Sequence, residues 1–269
     1  MESRRVSFED VSEAIRHLHD ADILEQAKHS RAIQVALEIY RPRNWWGVPV
    51  PAHELAAIAE ADGIPLAWVP RGEIVLELAG VANRDERMRV LADRESDVLA
   101  DCEAALTKCT EPELSDRVPL AKQALAAFRE HHEAAMALAV ALGEPLATRS
   151  SRPRVLAFGS EAEREAWEDA FKNTPKYKQA EVALSRIDPL ADDSKWRALA
   201  APIPKFFTTW FPSSGAPAPK ELSRHVVAHQ PTVEHFSRQN ALISVMLMTS
   251  LLREQEDWIE EVQADIWEE

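Results

Sequence analysis

Glycine is scarce in this chain, with 7 glycines among 269 residues. A phosphate-binding loop, a dinucleotide-binding fingerprint and a nucleophile elbow each require glycines at a fixed spacing. None of these three patterns occurs in the sequence. The sequence therefore gives no indication of a P-loop NTPase, a dinucleotide-dependent dehydrogenase or an α/β-hydrolase.

Cysteine is rarer still, because Cys102 and Cys109 are the only two in the chain. Seven helical residues separate them by about 10 Å along the helix axis, which is too far for a disulfide bond. The sequence also lacks the paired cysteines of a structural zinc site. Two isolated thiols without a disulfide framework are typical of a reducing compartment, so we expect a cytoplasmic protein.

Long apolar runs are absent as well. The longest one, Ala241–Leu252, is interrupted by Ser244, Thr249 and Ser250. It is shorter than the roughly 20 apolar residues that a membrane-spanning helix needs. The first ten residues, MESRRVSFED, contain no apolar signal core. We therefore expect neither a membrane segment nor secretion.

Positive charge is in deficit over the whole chain, which carries a formal net charge of −14. This charge argues against a protein that coats nucleic acid without specificity. The charge is unevenly distributed, since the segment from Arg197 to Asn240 has more basic than acidic residues and the segment after Arg253 has acids alone. This pattern predicts either a local basic patch for a phosphate or an uneven solvated surface.

Alanine and leucine are abundant, while β-branched and aromatic residues rarely alternate, which favours helices over strands. We therefore predict an all-α fold. The segment TEPELSDRVP (110–119) is the best candidate boundary. It divides the chain into an N-terminal helical region of unknown role, 1–114, and a helical bundle domain with an acidic tail, 115–269.

Several helix ends are visible in the sequence. Pro51 and Gly63 bracket a short helix, and Asn83 is a plausible cap for a long charged helix. The segment GEIVLEL, which follows Arg71, is compatible with a helix or a short strand. Ser160 with Glu163 has the pattern of a capping box. Two adjacent histidines, His131 and His132, mark a junction between two helical segments.

The strongest candidate for a chemical centre is the segment from Glu221 to Asn240, ELSRHVVAHQPTVEHFSRQN. One interpretation is zinc binding, because His225 and His229 have the i, i+4 spacing of zinc ligands on a helix. The third ligand would then be Glu234 or His235. The position that holds the catalytic glutamate in a zinc protease motif is occupied by valine in this chain.

The second interpretation is phosphate transfer by Arg224 and His229. Histidine titrates near neutral pH, and arginine offers a forked, permanently charged donor to phosphate. Five residues along an ideal helix turn the two side chains about 140° apart. They converge only if the helix ends between them or if two copies of the chain meet. A structural interpretation also stays open, in which Arg224 pairs with a carboxylate and His229 caps a helix.

The sequence RHVVAH (224–229), followed by a polar loop and an apolar helix, resembles the C-terminal part of the HEPN superfamily of helical domains. The signature of that superfamily is an arginine, usually a polar residue, and a histidine four to six residues after the arginine. ALAAFREHHEAAMALAVALGEPLATR (124–149) also resembles the preceding helix pair of abortive-infection-type HEPN proteins, with Glu130 in place of the usual glycine. The resemblance covers about residues 115–256.

This resemblance implies a metal-independent endoribonuclease of the toxin or phage-defence type. It implies a composite site at a homodimer interface, with Arg224 and His229 as catalytic residues and no metal or other cofactor. His225 would position a catalytic group and Asn240 would support the loop. RNA is the implied substrate, and an antitoxin or defence-system protein is a possible partner. The alternative is a non-catalytic HEPN-like helical dimer that binds a nucleotide or a partner protein.

Overall fold

A computed structural model of the protein describes residues 42–149, 165, 198–199 and 201–266. Every regular element in these ranges is helical, and the same ranges contain no strand. The described part holds nine α-helices: α1 (Ala52–Asp62), α2 (Gly72–Ala79), α3 (Arg84–Asp93), α4 (Glu95–Leu106), α5 (Arg117–Phe128), α6 (His132–Arg149), α7 (Ile203–Phe206), α8 (Arg224–His229) and α9 (Arg238–Ile266). The predicted all-α fold class is confirmed. The capping box predicted at Ser160 lies outside the described residues.

The predicted helix between Pro51 and Gly63 is confirmed as α1. Pro51 is its N-cap residue, and Gly63 ends it in a left-handed conformation with φ of 68°. A side chain at this position would also collide with Lys205, since an added Cβ would lie 2.7 Å from its Cδ. The segment GEIVLEL, which the sequence left open between helix and strand, forms α2.

The long charged helix predicted after Asn83 is interrupted. Asn83 caps α3 through its side chain, which accepts a hydrogen bond from the backbone N–H of Glu86. At Arg94 the backbone leaves the helical conformation, with φ of −102° and ψ of 14°, and α4 begins at the next residue. Arg94 lies within 4.0 Å of carboxylates on α2 and on α4. The break therefore lets one guanidinium contact both helices.

Helix α9 lies at the centre of the bundle and packs against α4, α5 and α6. Residues 240–254 of α9 are buried on every side of the helix. A helix segment that is buried all round is typical of the interior of a helical protein, and most of these residues are apolar. The same apolar sequence therefore serves as the central core helix, and no helix of the described residues is long and apolar enough to cross a membrane.

Helix α9 also holds polar contacts to the N-terminal part of the chain. Glu256, which is fully buried, accepts hydrogen bonds from the backbone N–H groups of Thr110 and Glu111 at 2.7 and 3.0 Å. The hydroxyl of Ser250 donates to the carbonyl of Ala67 at 2.6 Å. Residues from both sides of position 114 therefore contribute to one hydrophobic cluster. The division into 1–114 and 115–269 stays a prediction.

Cys102 and Cys109 are buried and form no disulfide, in agreement with their spacing in the sequence. Burial raises the pKa of Cys102 to about 12 and the pKa of Cys109 to about 11. Both thiols therefore stay protonated at neutral pH, and they act as small core residues.

Candidate functional site

Helix α8 carries the residues of the candidate motif and is fixed at both ends. Ser223 caps its first turn, because its hydroxyl accepts a hydrogen bond from the N–H of Val226 and donates one to the carbonyl of Thr208. The helix ends at His229, and Gln230 has left the helical conformation directly before Pro231. A residue before proline is disfavoured in the helical region, which explains this end point.

Arg224, the first residue of α8, is held by α6. Its Nη1 atom lies 2.8 Å from Oε1 of Glu144, and 12% of the Arg224 side chain is exposed. The guanidinium carbon also lies 5.2 Å from the centre of the Phe207 ring, within the range of a cation–π contact. The structural interpretation of the sequence paired Arg224 with a carboxylate, and the structure buries most of this side chain in such an ion pair.

His225 and His229 face each other on one side of α8, with ring centroids 5.2 Å apart. His225 also makes an edge-to-face contact with the exposed ring of Phe211 at 4.7 Å. Burial lowers the pKa of His225, and the charges of His229 and Arg224 lower it further. His225 is therefore neutral at pH 7, whereas His229 is exposed at the end of the helix.

Two buried side chains fix the loop between α8 and α9. Nε2 of His235 accepts a hydrogen bond from the N–H of Ser223 at 3.2 Å, so Nδ1 carries the proton and donates to the carbonyl of Pro219 at 3.2 Å. Nδ2 of Asn240 donates to the carbonyls of His235 and Lys220 at 3.0 and 3.2 Å. Asn240 therefore connects the first turn of α9 to the chain segments that precede and follow α8.

The structure does not bring Arg224 and His229 together within one copy of the chain. Helix α8 is continuous from one residue to the other. The two side chains therefore project about 140° apart and are separated by about 7.5 Å along the axis. The first condition for convergence, a helix end between them, is not met, so a shared site requires a second copy.

The zinc interpretation does not gain a third ligand from the loop. Both ring nitrogens of His235 are occupied by backbone groups. Among the residues that the structure describes, there is no group of three or more histidine, cysteine, aspartate or glutamate side chains that could hold a metal ion. The pair His225 and His229 therefore stands as two neighbouring imidazoles.

The sequence left two interpretations open for the basic segment between Arg197 and Asn240, a phosphate-binding patch and an uneven solvated surface. Arg238 makes two hydrogen bonds of 2.7 Å to the carboxylate of Glu95 on α4. Arg224 forms an ion pair with Glu144 on α6 through one contact of 2.8 Å. Two arginines of the basic segment are thus neutralised by carboxylates far away in sequence, while Lys220 is exposed. Arg197 lies outside the described residues.

Sequence reasoning missed three side chains that contact the motif. They are Glu144, Phe207 and Phe211. Phe207 and Phe211 come from the segment between α7 and α8, and Glu144 comes from the middle of α6. No spacing pattern in the sequence links them to α8, since each contact depends on how α6 and α7 pack.

No protein-family model, no curated protein and no solved structure matches this chain.

Proposed function

We propose that this protein is a metal-independent endoribonuclease with a composite site formed by α8 from two copies of the chain. The proposal extends the resemblance to the HEPN superfamily and includes its toxin or phage-defence role. It is carried by one observation: α8 is uninterrupted, so Arg224 and His229 point about 140° apart. In this proposal, a two-fold arrangement of two copies brings the arginine of one copy to the histidine of the other.

The chemistry at such a site is an internal transfer of the phosphate ester. The imidazole of His229 in one copy takes the proton of the ribose 2′-hydroxyl, and O2′ attacks the phosphorus. The protonated His229 of the second copy donates its proton to O5′ as the P–O5′ bond breaks. The products are a 2′,3′-cyclic phosphate and a free 5′-hydroxyl, so that all atoms and protons balance.

The other residues have supporting roles in this proposal. Arg224 stabilises the negative charge that develops on the phosphorane oxygens, since a fixed guanidinium needs no reorganisation during the reaction. His225, which is neutral, positions His229 from one helical turn away. Asn240 holds the loop that fixes the end of α8. An antitoxin or another defence-system protein that covers this face would silence the site.

The second candidate function is a non-catalytic HEPN-like helical dimer that binds a nucleotide or a partner protein. The observation that favours it is the ion pair between Arg224 and Glu144, which occupies part of the guanidinium. If the protein is a ribonuclease, the RNA phosphate accepts hydrogen bonds from the other N–H groups of Arg224, and wild-type protein cleaves RNA. In the scaffold, the ion pair is permanent and wild-type protein cleaves nothing.

The first test concerns metal. The proposed acid, base and cation are all side chains, so we expect cleavage of a mixed RNA pool to continue in excess EDTA. The 5′ fragments should end in a 2′,3′-cyclic phosphate. Such ends resist phosphatase, so sequencing of the fragments with and without phosphatase treatment identifies them. Loss of cleavage in EDTA and its recovery with zinc would instead support His225 and His229 as metal ligands.

The second test concerns the oligomer. Because one copy does not contain a complete site, we expect a two-fold homodimer, with a mass about twice the 30.2 kDa of the chain. Light scattering at micromolar concentration measures this mass directly. A monomer that retains full cleavage activity at the same concentration contradicts the composite site.

A further inference from the structure

Phe211 is a large apolar side chain that the fold leaves in solvent next to the candidate site. The residue is 51% exposed, and its ring packs edge to face with His225 at 4.7 Å. Aromatic side chains normally contribute to cores or interfaces. An exposed aromatic ring beside two imidazoles therefore indicates a contact with a ligand or a partner. About half of this residue is therefore accessible to a ligand.

The loop that presents Phe211 is held by its own hydrogen bonds. Nε1 of Trp210 donates to the carbonyl of Ala216 at 2.9 Å, and the hydroxyl of Ser214 donates to the carbonyl of Phe211 at 2.7 Å. The N–H of Ala216 donates to the Ser214 hydroxyl at 3.3 Å. Gly215 closes the turn with φ of 71°. These bonds hold Phe211 at a defined place beside α8.

The surroundings of the ring suit a nucleobase better than a protein partner. Residues 211–217 are all exposed and, apart from Phe211, are small, polar or proline. The core of a protein interface is instead a contiguous apolar patch. Beyond Phe211, the chain of ring contacts continues to His225 and then to His229 at 5.2 Å. A nucleotide whose base stacks on Phe211 therefore lies next to these two imidazoles.

We propose that Phe211 is a base-stacking platform for a single-stranded RNA nucleotide that flanks the phosphate bound at α8. This subsite rests on the proposed function, because it takes RNA as the ligand of the same surface. Unpaired bases present their faces to aromatic side chains, whereas bases within a duplex are already stacked. The subsite gives the protein a preference for single-stranded over double-stranded RNA with little dependence on base identity.

The experiment measures binding rather than cleavage. The probe is a fluorescein-labelled ten-nucleotide RNA with 2′-O-methyl riboses, which has no hydroxyl to attack the phosphate. In fluorescence anisotropy, Phe211→Ala should weaken binding by about 5- to 100-fold, the range for loss of one aromatic stacking partner. Phe211→Trp should bind as wild type does. The same probe annealed to its complement should bind more weakly.

Trp46→Ala is the matched control, because Trp46 is also an exposed aromatic residue, with a relative exposure of 46%, and lies on a different loop. Its affinity should stay within about twofold of wild type, as for an ordinary surface change. A second probe replaces every base with an abasic site. Wild type and Phe211→Ala should bind this probe equally, because no base is left to stack.

Three results would overturn the subsite. They are wild-type affinity in Phe211→Ala, no binding of the 2′-O-methyl probe by wild type, and a lower mass of Phe211→Ala in light scattering, which would make Phe211 a contact between copies. A failure of the proposed ribonuclease function gives a different result from a failure of the Phe211 subsite. In that case wild type cleaves no RNA, while the 2′-O-methyl probe still binds in a Phe211-dependent way.

Discussion

His229→Ala is expected to lower the rate of RNA cleavage by about 100-fold or more, the usual effect of removing a general acid or base. His229 is exposed at the end of α8, so its loss removes no core contact. The free energy of unfolding should change by about 0.5 kcal/mol or less. Initial cleavage rates on one RNA substrate, together with urea unfolding, measure both quantities.

Arg224→Ala should cause a similar loss of cleavage, because it removes the cation that faces the phosphorane. Its stability is expected to fall by about 1 to 2 kcal/mol, more than for His229→Ala, since Arg224 is mostly buried against Glu144 and Phe207. Arg224→Lys keeps the charge but lacks the fork, so it tests whether two donors are needed.

His53→Ala is the control for these changes, because His53 is an exposed histidine on α1. It should cleave RNA and unfold as wild type does. If wild type cleaves nothing and the variants of α8 unfold or separate the dimer, the motif is structural and the scaffold function is correct.

His235→Ala has the largest expected effect on stability, with a loss of about 3 kcal/mol in the free energy of unfolding. The side chain is buried, and its removal leaves the carbonyl of Pro219 and the N–H of Ser223 without their partner. Urea unfolding at pH 7 measures the loss. His229→Ala, six residues earlier but exposed, is the matched comparison, and equal losses in the two variants would contradict this role.

The same side chain sets the direction of a pH effect. Burial lowers the pKa of His235 below its usual value of 6.5. Between the two pKa values, His235 is therefore protonated in the unfolded chain and neutral in the folded chain. The contribution of neutral His235 to the free energy of unfolding is therefore complete above pH 6.5. It is lost as the pH falls through the lowered pKa of the folded state. The free energy of unfolding should decrease from pH 7 to pH 5, and His235→Asn should flatten this decrease.

The sequence predicted local features well because each depends on a few adjacent residues. Pro51, Gly63 and Asn83 end or begin helices in the structure as their backbone preferences and capping groups indicate. The end of α8 at His229 follows from the proline two residues later. These are effects of steric restriction and of hydrogen bonds within one turn of helix.

The sequence could not predict which side chains contact Arg224 and Arg238. Arg224 contacts a carboxylate 80 positions earlier, and Arg238 contacts Glu95 across 143 positions. Either arginine had several carboxylates to choose from, and the choice follows from the packing of α8 and α9 against other helices. His235 illustrates the same limit: the sequence left it as one of two candidates for a third zinc ligand, whereas the structure uses both of its ring nitrogens in hydrogen bonds to the backbone.

The central position of α9 has a consequence for how the protein folds. Helices α4, α5 and α6 leave the ribosome before α9, yet each of them packs against α9. Contacts of such high sequence separation slow folding, and the unpaired apolar faces are exposed to chaperones during the delay. Asn240, the third residue of α9, also ties down the loop beside α8. The candidate site is therefore assembled in the same step that closes the core, and a partly synthesised chain does not contain it.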